Sequence, residues 1–402
     1  MVRIIVGMNI LFLLKSFEIG GLEVVTSVLA NKFVTEGHKV VLWAFYEGKK
    51  SLADRLDTRV KLIYGYGFHS NKSNVKFLRQ VLLNYQIQIA INQWGLPYLP
   101  ALTLKKASKG LELKTIAVYH NDPSSNGRIK EVEIALERCD SCLKRILLKW
   151  KLYVFKQITA ASMRYIYRNS DRFMVLSGSF VEHFKNYTGI KDASKLIVQT
   201  NPVTVNSDGY EPNFTKKKKE VVFVGRLDYN QKRVHRVIET WALLEDKYPE
   251  WTLKIVGDGI ERNNLERLSV YLNLQHVNFE GFKTPRPYYE RASILMLTSE
   301  FEGFPLVLAE CMSFGVVPVV YGSYSAVYDI IDDGKDGIVI PYDKSGFHAE
   351  RMAEKLSVIM SDGELRNRMA VKAREKSREY SIETIYEQWE KVLNGLRCEE
   401  SV

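Results

Sequence analysis

Short apolar runs, each followed by a helix-spaced stretch, recur along this chain in two series, and that rhythm leaves few folds open. Asn9 to Leu14 reads as a strand, Leu22 to Glu36 as a helix, and Val40 to Phe45 as a second strand after the turn at Gly37-His38. Ile87 to Ile91, Thr115 to Tyr119 and Arg172 to Leu176 continue the first series. After Lys216 to Lys219 the pattern restarts, with strands expected at Val221 to Val224, Thr252 to Val256, His276 to Phe279, Ile294 to Leu297 and Val317 to Val320. Alternation of buried strands with helices is the doubly wound pattern. The chain therefore reads as α/β, with two Rossmann-like domains in series joined near Asn201-Pro202, and the four lysines read as a solvated linker. A length of 402 residues suits two cores better than one.

Composition narrows the class. The hydrophobic and charged fractions, 46% and 26%, are those of a water-soluble globular protein. No apolar stretch reaches the roughly 18 residues of a spanning helix. Met1 to Leu14 reads as a first strand rather than a signal peptide, because Lys15 and Glu18 stand where small cleavage-site residues belong, so a cytoplasmic location is expected. Cys139 and Cys142 form a lone Cys-x-x-Cys, and Cys311 and Cys398 stand apart without nearby histidines, so no metal site is expected and the thiols read as incidental.

The net charge of +10 is unevenly placed. Residues 1–200 carry 30 Lys and Arg against 15 Asp and Glu, whereas residues 201–402 carry 27 against 32. The excess is densest from Cys142 to Arg172, where Lys144, Arg145, Lys149 and Lys151 interleave with Ile146, Leu147, Trp150 and Tyr153. Two readings stay open for this stretch: a basic amphipathic helix lying on an anionic membrane surface, or an ordinary surface helix with solvated lysines. No nucleic-acid motif accompanies the charge, so nucleic acid is not an expected partner.

The run Thr298-Ser299-Glu300-Phe301-Glu302-Gly303-Phe304-Pro305-Leu306-Val307-Leu308-Ala309-Glu310 places two carboxylates eight positions apart across a strand-to-helix junction. Pro305 reads as the first residue of a helix ended by Gly315. A helix N-terminus at a strand's carboxyl end favours an anion, and Gly303 permits close approach to the backbone. Glu302 lies at that phosphate end, and Glu310, one to two turns on, is placed to accept hydrogen bonds from a ribose.

With Ser299, Gly303, Phe304, Pro305, Gly315 and Pro318 around the Glu302 and Glu310 pair, the chain resembles the retaining nucleotide-sugar glycosyltransferases of the GT-B fold, family 4. The resemblance covers nearly the whole chain and is sharpest from Val221 to Pro341. It implies two Rossmann-like domains facing a central cleft: an acceptor-side domain at residues 1–200, a nucleotide-sugar donor domain at 201–380, and a terminal segment at 381–402 that packs back on the first domain. Phe223-Val224-Gly225-Arg226-Leu227 and Gln231-Lys232-Arg233 look like the family's Arg and Lys that clamp the donor diphosphate, with Arg233 where a small residue, often Gly, is usual. Such cations stabilise charge on the leaving group without a metal. Ile19-Gly20-Gly21-Leu22-Glu23 resembles the Gly-Gly-x-Glu loop that approaches donor sugar and diphosphate, and it is not the Gly-x-Gly-x-x-Gly dinucleotide fingerprint. His120, after Thr115 to Tyr119, stands where family members carry a histidine facing the donor sugar. Asn201-Pro202-Val203 and Val256-Gly257-Asp258-Gly259 match family habits that shape the cleft.

The resulting expectation is a metal-independent hexosyltransferase that needs no cofactor. Glu302, His120, Arg226 and Lys232 are its catalytic group; Gly20, Gly21, Gly303, Phe304, Pro305 and Glu310 join Arg226 and Lys232 in holding the donor. The partners expected are a nucleotide-sugar donor, a glycan or lipid-linked acceptor of surface polysaccharide assembly, and the inner membrane face. A nucleotide-sugar epimerase of the same fold and a catalytically silent partner subunit are the alternatives.

Overall fold

The computed structural model describes residues 7–49, 52–137 and 139–398; residues 1–6 of the expected Met1 to Leu14 start lie outside that set. The chain divides into two compact units, one running to Pro202 and taking in the terminal helix from Ile382, the other Val203–Ser381.

The first unit is built on strands β1 (Asn9–Ser16), β2 (Lys39–Tyr46), β3 (Lys61–Tyr64), β4 (Ile89–Asn92), β5 (Lys114–Tyr119), β6 (Arg172–Val175) and β7 (Leu196–Val198). Between them run α1 (Gly21–Thr35), α2 (Lys72–Asn84), α3 (Leu99–Ala107), α4 (Gly127–Glu137), α5 (Cys142–Arg168) and α6 (Phe180–Thr188). The strands pair in parallel in the order β3-β2-β1-β4-β5-β6-β7. Alternate residues of one strand serve opposite faces. Leu11 and Leu13 pack with Val41, Trp43 and Phe45 under α2 and α3, while Phe12 meets Phe33 of α1 at 5.6 Å between ring centroids. Burial on both faces is why these strands read as unbroken apolar runs.

The second unit carries β8 (Glu220–Val224), β9 (Thr252–Val256), β10 (Val277–Gly281), β11 (Ile294–Leu297), β12 (Val317–Gly322) and β13 (Ile338–Pro341). Its helices are α7 (Val234–Ala242), α8 (Arg262–Tyr271), α9 (Arg286–Arg291), α10 (Leu306–Ser313), α11 (Val327–Ile330), α12 (Ala349–Ser361) and α13 (Gly363–Ser377). The sheet order is β10-β9-β8-β11-β12-β13, again all parallel. In each sheet the winding reverses beside its first strand, between β1 and β4 and between β8 and β11. Such reversals open a crevice at the strands' carboxyl ends, where open α/β sheets bind ligands. The last helix, α14 (Ile382–Cys398), belongs to the first unit: Tyr386 and Trp389 stack edge-on against Phe33, and the Tyr386 hydroxyl lies 2.9 Å from His38 Nε2.

The residue pattern did not signal β3, β7 or β13. All three are sheet edges, four residues long or fewer, and β3 and β7 are only half-buried, so they lack a long apolar run. Pro305 caps α10 with extended ψ instead of opening it, and Gly315 ends the turn at φ +66°. The Lys216 to Lys219 run is tied into the second unit and is not a free linker. Lys218 N donates to Arg291 O at 2.8 Å, Ser293 Oγ donates to Lys218 O at 2.6 Å, and Lys217 Nζ reaches Tyr289 O at 2.6 Å. Desolvation pushes the Lys217 ammonium down to about 7, as expected when a long stem is drawn inward to a carbonyl.

Candidate active site

At the reversal in the second unit, the loop after β8 and the loop after β11 lie against each other. Asp228 organises the first. Its Oδ1 accepts from the backbone N–H of Gln231 (2.6 Å) and Lys232 (3.2 Å), and its Oδ2 accepts from Arg226 Nε at 2.9 Å. Arg226 Nη2 also donates to Gln231 Oε1 at 3.1 Å, so an exposed guanidinium is aimed by two neighbours. The second loop is stitched to the first: Glu300 N donates to Gln231 O at 2.7 Å, and Thr298 Oγ1 donates to Arg233 O at 3.1 Å.

This stitching brings Lys232 onto Glu302. Lys232 Nζ donates to Glu302 Oε1 at 2.6 Å, and Gln231 Nε2 donates to Oε2 at 3.1 Å, with both charged side chains nearly buried. A close, desolvated pair of this kind fixes both side chains. The ammonium has three N–H donors, so two are left over from the Glu302 bond. Gly303, Phe304 and Pro305 follow at the amino end of α10, with the Phe304 ring edge-on to Tyr380 at 5.4 Å.

Arg233 takes no part in this group. Its backbone is left-handed (φ 51°, ψ 43°), a conformation that explains why a small residue such as Gly is usual there. The side chain is buried over the Tyr229 ring at 4.6 Å and lies 3.7 Å from Glu300 Oε2, directed into the fold. Beneath the loop, Gly257 sits at φ +144°, and a Cβ there would fall 1.8 Å from Gly225 O. Only glycine lets these two strand ends meet.

Glu310, on α10, is buried. Thr204 Oγ1 donates to its Oε1, and the Tyr289 hydroxyl donates to its Oε2 at 3.2 Å. Burial raises its pKa, with the two hydroxyls and the Lys232 charge opposing. A carboxylate offers about four lone-pair positions, so two remain after these bonds. Cys311, next in sequence, is fully buried, and desolvation holds its thiol well above the ordinary range.

The other expected residues belong to the first unit. Gly20 precedes α1, and a Cβ there would lie 2.3 Å from Glu23 Oε2, because that carboxylate folds back over the helix start. Burial lifts Glu23 to about 7. Leu22, after Gly21, lines a cavity of about 580 Å³ with Lys15, Gln93, Trp94, His120 and Arg128, at the carboxyl ends of β1, β4 and β5. His120 Nε2 sits 2.7 Å from Gln93 Oε1, and desolvation pushes its pKa down to about 4, so the imidazole is neutral near pH 7. Gln93 Nε2 and the Tyr119 hydroxyl are buried without a protein partner.

The structure thus brings Lys232 and Glu302 into contact, joins Arg226 to them through Gln231, places Glu310 within reach of the Lys232 charge, and assembles Gly20, Gly21 and His120 separately in the first unit. The sequence reading missed Asp228, Thr204 and Tyr289 as partners of these groups. Asp228 carries a local signal, an acid three residues ahead of Gln231 at a turn. Thr204 and Tyr289 lie 106 and 21 residues from Glu310 and carry none. Among the described residues, no group of three or more His, Cys, Asp or Glu is placed to hold a metal ion. Cys139 is buried, Cys142 is exposed, and both are free thiols.

Family models match both units: "Glycosyltransferase Family 4" over residues 19–206 and "Glycosyl transferases group 1" over residues 209–376. An uncharacterized glycosyltransferase of Haemophilus influenzae is 34% identical over 44% of this chain, which spans about half (49%) of that relative's length. A Campylobacter jejuni relative, named as an alpha-1,4-N-acetyl-D-galactosaminyltransferase acting on a PP-undecaprenol-linked GalNAc glycan, is 23% identical over 96% of this chain and 98% of its own. In three dimensions the chain resembles the Anabaena protein HepE, solved in complex with UDP, with a TM-score of 0.74 at 16% identity over 96% of this chain and all of that one. That likeness is one of fold. With a model matched to each unit and the fold shared from end to end, the chain belongs to the GT-B glycosyltransferases.

Proposed function

We propose that this protein moves a sugar from a nucleotide diphosphate sugar to a hydroxyl acceptor, with retention at the anomeric carbon and without a metal. The observation that carries the reading is the Lys232–Glu302 contact at the amino end of α10, with Arg226 aimed from the same loop. Breaking the bond between the anomeric carbon and the phosphate oxygen leaves an electron pair, and so charge, on the diphosphate. Arg226 and the two remaining Lys232 donors stabilise that charge, taking the place of a metal ion. Glu310, oriented by Thr204 and Tyr289, is assigned to the ribose hydroxyls, and neutral His120 to a sugar hydroxyl.

Both Glu302 oxygens are engaged by cationic or amide donors, which favours a positioning and electrostatic role over attack on the anomeric carbon. The acceptor hydroxyl then attacks from the face the diphosphate leaves, and its proton passes to the departing phosphate oxygen. The acceptor is proposed to be a lipid-linked glycan of surface polysaccharide assembly. The activity named for the Campylobacter jejuni relative supports this class, and the basic excess of residues 1–200 supports an anionic membrane face as its place of work. Incubating the protein with a panel of nucleotide sugars, with mass detection of released nucleoside diphosphate, tests the reading. Slow hydrolysis of at least one donor is expected, and release from none would overturn it.

A further inference from the structure

The first two thirds of α5 carry an exposed apolar face that the proposed chemistry does not use. Leu143, Ile146, Leu147, Trp150, Tyr153 and Ile158 are all more than 60% exposed, Leu143 reaching 81%. Steps of three and four residues from Leu143 to Tyr153, with Ile158 eight residues after Trp150, put them on one face of the helix. Lys144 and Lys151 fall along one border of that stripe and Lys149 along the other, while half-buried Leu148, Leu152 and Phe155 take the opposite side. From Cys142 to Arg168 there are seven Lys and Arg and not one Asp or Glu. No helix among the described residues is long and apolar enough to cross a membrane, and this one is far too basic to do so.

We infer that the Leu143–Ile158 face of α5 inserts into the headgroup and acyl boundary of an anionic bilayer, with Trp150 as its central anchor and the flanking lysines on lipid phosphates. A helix with a wide apolar stripe bordered by lysines lies in the interface plane, gaining from apolar burial and from charge. Pairing of two such faces in a dimer would set Lys144, Lys149 and Lys151 of both copies against one another, so a second copy is disfavoured. The inference rests on the proposed membrane site of action and adds to it an apolar contribution that salt does not screen.

Flotation with vesicles of phosphatidylcholine containing increasing phosphatidylglycerol tests it, using the full chain with Leu143, Ile146, Leu147 and Trp150 all changed to Ser, beside a variant with Lys144, Lys149 and Lys151 changed to Gln. Wild type should bind anionic vesicles and keep part of that binding at 0.5 M salt, roughly where the screening length has fallen to a few ångströms. The Ser variant should bind at least tenfold more weakly and lose the salt-resistant part, with circular dichroism and donor hydrolysis unchanged. As a check free of multiple substitutions, brominated lipids should quench wild-type tryptophan emission more than that of Trp150→Phe. Binding that vanishes in the Gln variant but is untouched in the Ser variant would overturn insertion while leaving charge-driven adhesion intact. No binding of wild type to anionic vesicles at low salt would overturn both. A wild-type dimer that the Ser variant abolishes, without lipid binding, would assign the face to a second copy and overturn the inference.

Discussion

Lys232 Nζ lies 2.6 Å from Glu302 Oε1, and the two residues reach this contact from different strands, the first after β8 and the second after β11. The pair therefore depends on the loop stitching that Asp228, Gln231 and Thr298 provide. Removing either partner leaves the other charge nearly buried without its counter-charge. Lys232→Ala should lower kcat/KM for donor by roughly 10² or more, the cost of losing one electrostatic stabiliser. Arg226→Ala should act similarly, without the same stability loss because its guanidinium is exposed. Steady-state kinetics with thermal melting checks both, and full activity in the two variants removes the diphosphate assignment. EDTA should leave the rate nearly unchanged. Abolition restored by Mg²⁺ or Mn²⁺ would contradict the metal-free clamp.

The two acids are expected to separate by role. Glu310→Gln should mainly weaken donor binding, and removing a ribose hydroxyl from the donor should cost wild type much more than this variant. Glu302→Gln should depress turnover while nucleoside diphosphate binding, read by calorimetry, is largely kept. Equal sensitivity of both variants to the deoxy donor would contradict the division.

Thr204 and Tyr289 hold Glu310 from opposite oxygens, so each is a positioning residue. Thr204→Val and Tyr289→Phe should each cost about 1–3 kcal/mol of stability, the range for stranding a buried acceptor. Both should raise donor KM more than they lower kcat. A stability loss with donor KM untouched would make the pair structural only.

His120 should stay neutral through the physiological range. Its folded-state pKa of about 4 lies below the ordinary 6.5, so the folded chain binds fewer protons than the unfolded one between these values. The stability this contributes is fully present above pH 6.5 and is lost as pH falls towards 4. Its imidazole proton signals in NMR should not shift between pH 7.5 and 5.5, and a midpoint near 6.5 would contradict a desolvated ring.

Much of this was legible in the residues because parallel strands covered on both faces are written as continuous apolar runs, and because Arg226, Lys232 and Glu302 lie in loops with local signatures and Glu310 follows in the helix that one of them opens. Edge strands such as β3 and β7 carry no such run. The sequence flags Arg233 as a departure from the family, but only the fold shows that its side chain turns inward over Tyr229 and towards Glu300. The hydroxyls on Glu310 were invisible for another reason: Thr204 and Tyr289 meet it only through tertiary packing. The charge pattern of α5 was readable, whereas the exposure of its apolar face became evident only with the fold in place.

Sugar transfer with retention is the central claim, and proton NMR of the first-formed product from an α-linked nucleotide sugar and a hydroxyl acceptor tests it most directly. An α-configured glycoside is expected, with one nucleoside diphosphate released for each sugar transferred. A β-configured product, or an isomerised nucleotide sugar with no acceptor consumed, would contradict it.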